Sequence, residues 1–387
     1  MLFSVDAHTI GCRLTGNEVY VRNLLNEFAA LDKSAKFVAF VSKRDAGRYV
    51  PRRFAKTRVS ENPWIRLGFE IPLSLHRQRP DVLHVQYTAP ISCPVPMVVT
   101  VHDVSFLENP EYFTSFRAHQ LRLTVNHTIS KAVRILTPSE FSRRSIIDAY
   151  GLTDDKVTVI PNGVSSALRP MQREAAAHWV SARYGIPGPF VLTVGDLQPR
   201  KNHLGLIQAF EEVLHAHPQL PHRLVMVGKE TWSTPQIRLA AQKSSVADRI
   251  HFTGWIGDED LRRFYCAADL FVYPSFYEGF GLPILEAMAC GRAVLCSNTS
   301  AMPEVANSAG ILFNPYSVPE IARAIRDVLL DSELRSRMER LGLKRAAAFS
   351  WNRTAQRTLS VYYQVAEARR GRAAGSKTIE EKVSAMG

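Results

Sequence analysis

The chain has 387 residues, 46% of them hydrophobic and 22% charged. That length exceeds what one core serves and that composition excludes disorder, so two domains of roughly 150–200 residues are expected. Lysine and arginine outnumber the acids by 48 to 36, for a net charge of +12, and none of the five cysteines (12, 93, 266, 290 and 296) forms a Cys-x-x-Cys pair. A disulfide framework and a zinc site are therefore not expected, and a reducing cytoplasm fits best.

The first residues, Met1-Leu2-Phe3-Ser4-Val5-Asp6, lack the basic start and apolar block of a signal peptide and read as a first buried strand. No export is expected. Further strands are expected at 36–42, 82–87, 97–103, 134–139 and 156–161, with helices at 17–31, 112–131 and 140–150. Gly16 and Asn17 precede the first helix, which is expected to begin near Glu18 with Asn17 as its N-cap. Between Lys43 and Arg79 ten cations (Lys43, Arg44, Arg48, Arg52, Arg53, Lys56, Arg58, Arg66, Arg77 and Arg79) face three acids. A second basic group, Arg117, Arg122 and Lys131, lies beside Tyr112, Phe113 and Phe116. Each such cation near an anionic leaflet contributes on the order of 1 kcal/mol, so a membrane surface is one expected partner. The alternative is a solvated face of a basic protein. No nucleic-acid motif accompanies the charge, and nucleic acid is not expected as a partner.

The stretch from Val82 to Val101 carries no Asp, Glu, Lys or Arg. Pro90, Pro94 and Pro96 exclude a spanning helix there, so two buried strands joined by a proline-rich loop are expected. The second half repeats the alternation, with strands near 190–195, 223–228, 249–254, 270–275, 293–297 and 310–313. Alternating strands and amphipathic segments imply βαβ units and parallel sheets. The expected division is 1–168 and 169–350, joined after the turn Pro161-Asn162-Gly163-Val164. A helix at about 351–368 is expected to pack back on the first domain, and 369–387 reads as a mobile tail.

The strongest local signal is Glu278-Gly279-Phe280-Gly281-Leu282-Pro283-Ile284-Leu285-Glu286, closed by Gly291. Pro283 suits a first helical turn and Gly291 its stop, which places Gly279, Phe280, Gly281 and Leu282 where free N–H groups meet an anion. Glu278 and Glu286 bracket this cradle and can accept hydrogen bonds from sugar and ribose hydroxyls, although both residues also simply suit a helix start. Arg200 and Lys201 follow a strand and precede a helix, from where cations reach a diphosphate. His102 comes at the carboxyl edge of a strand, the edge at which open α/β sheets bind ligands, and Asp103 is expected to orient that loop or His102 itself. Asp258-Glu259-Asp260 matches an Asp-x-Asp metal motif but opens a helix, where acids are expected without metal. Gly279-Phe280-Gly281 lacks the third glycine of a dinucleotide fingerprint, and no P-loop is present.

These residues resemble glycosyltransferase family 4. The pair Glu278 and Glu286, with Gly-Phe-Gly-Leu-Pro between, looks like the family's two-glutamate pattern. Asp81–Tyr87, Thr100–Asp103, Thr137–Ser142, Ile160–Val164, Val194–Asn202 and Leu270–Ser275 are similar to family segments in the family's order. The resemblance implies an α/β fold of the GT-B type, two Rossmann-like doubly wound domains facing a deep cleft. It implies a retaining, metal-independent transferase with no cofactor. Glu278 would lie near the transferred sugar, Glu286 would hold the ribose, His102 would contact the donor sugar, and Gly16 and Asn17 would close over the phosphates. Gly254, Trp255 and Ile256 would lie near the base. Relatives place an arginine directly after the glycine corresponding to Gly195; this chain has Asp196, so Arg200 is expected to substitute.

Several strings look most like mannosyltransferases of bacterial surface-polysaccharide assembly, which implies GDP-mannose as donor and a glycan or lipid-linked acceptor. The enzyme would then work in the cytoplasm or peripherally on the inner face of the membrane. The alternatives are a UDP-sugar donor, a nucleotide-sugar epimerase or hydrolase of the same fold, and a non-catalytic nucleotide-sugar-binding protein.

Overall fold

The computed structural model describes residues 1–12 and 15–384. Arg13 and Leu14 of the first loop and residues 385–387 of the expected tail lie outside the described residues. The chain forms two compact units, one of Met1–Pro138, Arg143–Asn162 and the segment from Trp351 onward, the other of Ser139–Ser142 and Gly163–Ser350. Residues 163–168, expected in the first domain, thus belong to the second unit, where Val164 bridges to Ser350.

In unit 1 the strands are β1 (Leu2–Asp6), β2 (Lys36–Val41), β3 (Ala55–Arg58), β4 (Val82–Gln86), β5 (Met97–Thr100), β6 (Arg134–Thr137) and β7 (Val157–Val159). All pair in parallel in the order β3-β2-β1-β4-β5-β6-β7. Both faces of such a sheet are covered, which is why β4 and β5 are buried at every position and carry no charge. Strand β3 is a finding that the sequence did not announce. Its Ala55-Lys56-Thr57-Arg58 has no apolar rhythm and is mostly exposed, and pairing with β2, from Val38 against Ala55 to Val41 against Arg58, creates it. Two cations of the basic run thereby guard a sheet edge.

The first helix spans Thr15–Leu31, so Gly16 and Asn17 lie inside its first turn and Asn17 is not its cap. Glu18 reaches back instead, its Oε1 accepting the Gly11 N–H at 2.8 Å. The helix expected at 112–131 begins at Ser115, capped by Thr114, because Pro110–Tyr112 forms a separate 3₁₀ turn. The last helix, Trp351–Ser384, packs on unit 1: Tyr362 meets Phe3 and Phe28 at ring distances of 5.2 and 5.5 Å. The backbone expected as a tail from Arg369 continues this helix to Ser384, and Arg370 pairs with Asp81 at 3.0 Å.

Unit 2 holds β8 (Phe190–Val194), β9 (Arg223–Val227), β10 (Ile250–Gly254), β11 (Leu270–Tyr273), β12 (Ala293–Ser297) and β13 (Ile311–Phe313), in the order β10-β9-β8-β11-β12-β13. Side chains alternate across this sheet as the pleat requires. Leu270 and Val272 join Phe210 and Ile325 on one face, while Phe271 and Tyr273 join Phe264 and Ile284 on the other. Strand order reverses between β1 and β4 in unit 1 and between β8 and β11 in unit 2. Ligands of open α/β sheets bind beyond the carboxyl ends of the strands at such reversals.

Candidate functional site

In unit 2 the two loops at the reversal converge. After β8 the chain passes Gly195 and a 3₁₀ turn, Pro199–Lys201, to Asn202, whose φ of 53° is left-handed. The Asn202 side chain accepts from Gly205 N at 3.2 Å and donates to Pro315 O at 2.8 Å, which locks that turn. Lys201 then folds back over Gly195, where an added Cβ would lie 3.2 Å from Lys201 Cε. From the other loop Glu278 arrives after β11. Lys201 Nζ donates to Glu278 Oε1 and to the Tyr273 hydroxyl, both at 2.6 Å. Arg200 Nη1 lies 2.7 Å from Glu278 Oε2 and donates to Tyr277 O at 2.5 Å.

The group is nearly dry, with Glu278 only 7% exposed. Burial alone would raise the Glu278 carboxyl, but the Arg200 and Lys201 cations outweigh it and hold the pKa at about 2. Burial pulls the Lys201 ammonium below its ordinary value, Glu278 opposes this, and Arg200 reinforces it. Asp196 sits beside this group with a buried Oδ1 that no described residue hydrogen-bonds.

Glu278 leads into the glycine loop. Gly281, at φ 98°, caps the helix Leu282–Ala289, and Pro283 occupies its first turn. A helix start leaves N–H groups over, and the glycine backbone admits close approach. Farther along, Glu286 Oε2 accepts the Tyr265 hydroxyl at 2.8 Å. Burial pushes the Glu286 carboxyl up to about 7, the Tyr265 bond opposing and Asp258 adding to the rise. Gly254 ends β10, two strands from β8, with φ 71°; Trp255 beyond it is 46% exposed and Ile256 is buried. The structure thus brings Arg200, Lys201 and Glu278 into direct contact, puts Gly279, Phe280, Gly281 and Leu282 immediately after them, and joins Glu286 to Tyr265. Asp258-Glu259-Asp260 opens the helix Asp258–Ala267, where Asp260 accepts the Tyr184 hydroxyl at 2.9 Å. Among the described residues no group of three or more His, Cys, Asp or Glu is arranged to hold a metal ion.

Unit 1 presents a different chemistry at its reversal. His102 Nε2 hydrogen-bonds Gln86 Oε1 at 2.9 Å, and Gln86 Nε2 donates to Asn17 O at 3.4 Å, tying β4, the loop after β5 and the first helix together. Tyr20 meets the His102 ring edge-on at 4.9 Å. Behind it, Thr100 Oγ1 bonds both the Tyr20 hydroxyl at 2.9 Å and His84 Nε2 at 2.7 Å, and Tyr362 bonds His84 Nδ1. Burial lowers His84 to about 3 and His102 to about 4, the latter against a small opposing pull from Asp103. Both imidazoles are therefore neutral near pH 7. Asp103 Oδ1 accepts from Ser105 N at 3.0 Å and from Ser105 Oγ at 2.6 Å, bonds within the loop that it was expected to orient.

Tyr273, Tyr265, Tyr20 and His84 were not singled out in the sequence. Tyr273 and His84 carried a usable signal: each is a polar residue in a mostly apolar, buried strand next to a reversal, where burial demands a partner.

Residues 14–168 match the family model described as Glycosyltransferase Family 4, and residues 183–345 that described as Glycosyl transferases group 1. The O-antigen chain mannosyltransferase B of Escherichia coli is 35% identical over 266 residues, covering 68% of this chain and 69% of that protein. The serotype-specific mannosyltransferase WbdA of Escherichia coli is 30% identical over 71% of this chain, but the match spans only 36% of that longer protein. Among solved structures, Anabaena Alr3699/HepE in complex with UDP-glucose superposes with a TM-score of 0.75 at 19% identity, covering 96% of this chain and 99% of that one.

Proposed function

Since this chain belongs to glycosyltransferase family 4 and has the GT-B fold, we propose that it moves mannose from GDP-mannose to a glycan or lipid-linked acceptor in surface-polysaccharide assembly. The observation that carries the donor half of this reading is the Arg200–Glu278–Lys201 group at the unit 2 strand reversal. Mannose is supported by the likeness to the O-antigen chain mannosyltransferase.

The residues divide the work as follows. Negative charge grows on the diphosphate as it leaves, and Arg200, Lys201 and the N–H groups of Gly279, Phe280, Gly281 and Leu282 oppose it in a dry site. The anomeric carbon gains positive character at the same moment, and the fixed anion of Glu278 stabilises it without forming a bond. Glu286 accepts the ribose hydroxyls. Gly254, Trp255 and Ile256 flank the base, and a phosphate contact for Gly16 and Asn17 is what the family resemblance implies. His102 is neutral and held by Gln86, and a contact with the donor sugar is what the family resemblance implies for it. Attack comes from the face the diphosphate leaves, so configuration is retained, and no metal or cofactor takes part.

A UDP-sugar donor is the second reading, favoured by the likeness to a protein solved with UDP-glucose. Thermal-shift screening of nucleotide sugars, followed by product analysis by NMR, separates the two. GDP-mannose should give the largest shift and an axially retained linkage. Preference for UDP-glucose would replace the donor, turnover without acceptor would indicate an epimerase or hydrolase, and binding without turnover a binding protein.

The same reading places the enzyme in the cytoplasm at an anionic membrane. Among the described residues no helix is long and apolar enough to cross one. Unit 1 instead exposes Trp64, Phe69 and Leu73, at 69%, 74% and 52%, on the helical stretch following much of the basic run. Apolar side chains rimmed by cations suit an interfacial site. Cosedimentation should show binding to anionic vesicles that fades with salt; equal binding to neutral vesicles, or none to either, would remove the membrane from the account.

A further inference from the structure

The loop from Tyr277 to Gly281 is gripped by three residues, Ser139, Phe141 and Ser142, that precede and open the helix Glu140–Tyr150. Ser139 and Ser142, 2% and 0% exposed, each aim a hydroxyl at one carbonyl: Ser139 Oγ donates to Gly279 O at 2.7 Å and Ser142 Oγ at 3.1 Å. Between them Phe141 packs edge-on against Tyr277 at 5.3 Å. The grip is itself braced. Ser139 Oγ accepts the Ser142 N–H at 3.0 Å, and the Glu304 carboxylate accepts the N–H groups of Glu140 and Phe141 at 2.9 and 2.6 Å. Three N–H groups of this helix start thus have acceptors, and both serine hydroxyls donate to Gly279 O.

The consequence follows from peptide geometry. A trans peptide sets its C=O and N–H in opposite directions, and no peptide among the described residues is cis. Two hydroxyls fixing the Gly279 carbonyl fix the Phe280 N–H on the other side. Glycine at 279 has no side chain to hold that plane, so an outside anchor is needed. We infer that Ser139 and Ser142 are positioning residues for the donor loop, holding the Gly279–Phe280 peptide so that the Phe280 N–H faces the diphosphate. This rests on the donor reading above.

Calorimetric titration of GDP and of GMP into the wild type, S142A and S139A/S142A tests it. S142A leaves the Ser139 cap intact and guards against loss of folding. The variants should bind GDP about tenfold more weakly while GMP affinity stays within about twofold, because only the outer phosphate depends on the oriented N–H. Unchanged GDP affinity in a folded variant, or parallel loss of GDP and GMP, would overturn the assignment and leave the serines a structural role. Wild-type protein that binds neither GDP nor UDP would instead remove the donor reading, and this inference with it.

Discussion

The two sheets share a parallel architecture and a reversal of strand order, yet their carboxyl edges carry opposite chemistry. At the reversal of unit 2 a carboxylate is locked between two cations, Arg200 and Lys201, and stays ionised down to a pKa of about 2. At that of unit 1 the groups around His102 are neutral and bond in a chain, His102 to Gln86 and Tyr20 to Thr100 to His84, and the buried carboxylate there, Asp6 at the end of β1, bonds His8 Nδ1 instead of a lysine or arginine pair. Topology made both edges available, and the residues placed there decide what each can do. A charged edge suits an ion that must leave; a neutral one suits hydroxyl groups that must be read.

The largest effect should come from the charged edge. Lys201→Ala is expected to lower turnover by about 10²–10³-fold, with folding much less affected, because the cation acts mostly as the diphosphate departs. A variant with full rate, or one that melts before assay, would erase the contrast between the edges. Glu286 sharpens it further. Glu286→Ala should weaken donor binding by about 1–3 kcal/mol. The raised carboxyl, at about 7, adds a pH signature. Below that value the protonated form dominates and accepts ribose hydroxyls poorly, so donor affinity should fall as pH drops from 8 to 6. Glu286→Gln should flatten that profile; a wild-type affinity independent of pH would take Glu286 out of the donor site.

A smaller effect is common to both units and limits the contrast. Burial lowers His84 and His203 to about 3 and His102 and His222 to about 4, from an ordinary 6.5. Unfolded imidazoles take up protons first, so this stability is whole above about pH 6.5 and is lost as pH falls toward 4. Glu286, raised from an ordinary 4.5 to about 7, has the opposite sign and offsets part of it. The melting temperature should therefore drop on acidification through this window, and a flat profile would contradict the buried neutral histidines. The smallest expected effect is that of EDTA, which should leave transfer unchanged. Loss restored by manganese or magnesium would show that the two cations do not carry the leaving charge alone.

Much of this was legible because parallel strands are buried on both faces. The charge-free stretch holding β4 and β5, and the repeated apolar runs of unit 2, could hardly be anything else. Strand β3 was not legible, since its exposed Lys56 and Arg58 say nothing of the backbone pairing with β2 that makes it. The first helix starts earlier than Asn17 suggested, and Glu18 ties it to the preceding loop at Gly11. At the site, Arg200 and Lys201 could be placed after a strand and Glu278 before a glycine loop. Their mutual pairing could not, because it joins side chains 77 positions apart for Lys201 and Glu278. The serines behind the loop are more distant still, Ser139 lying 140 positions from Gly279.

That pairing also supplies the most direct test. Glu278 holds both cations that the diphosphate is proposed to use, so nucleotide and carboxylate compete for them. GDP, which lacks the sugar, should bind E278Q at least as tightly as wild type and K201A more weakly, while both variants lose transfer. Titrating GDP into all three proteins by calorimetry reads this order in one experiment. Equal affinity across the three, or weaker binding by E278Q than by wild type, would contradict the claim that the charged edge of unit 2 is the diphosphate site.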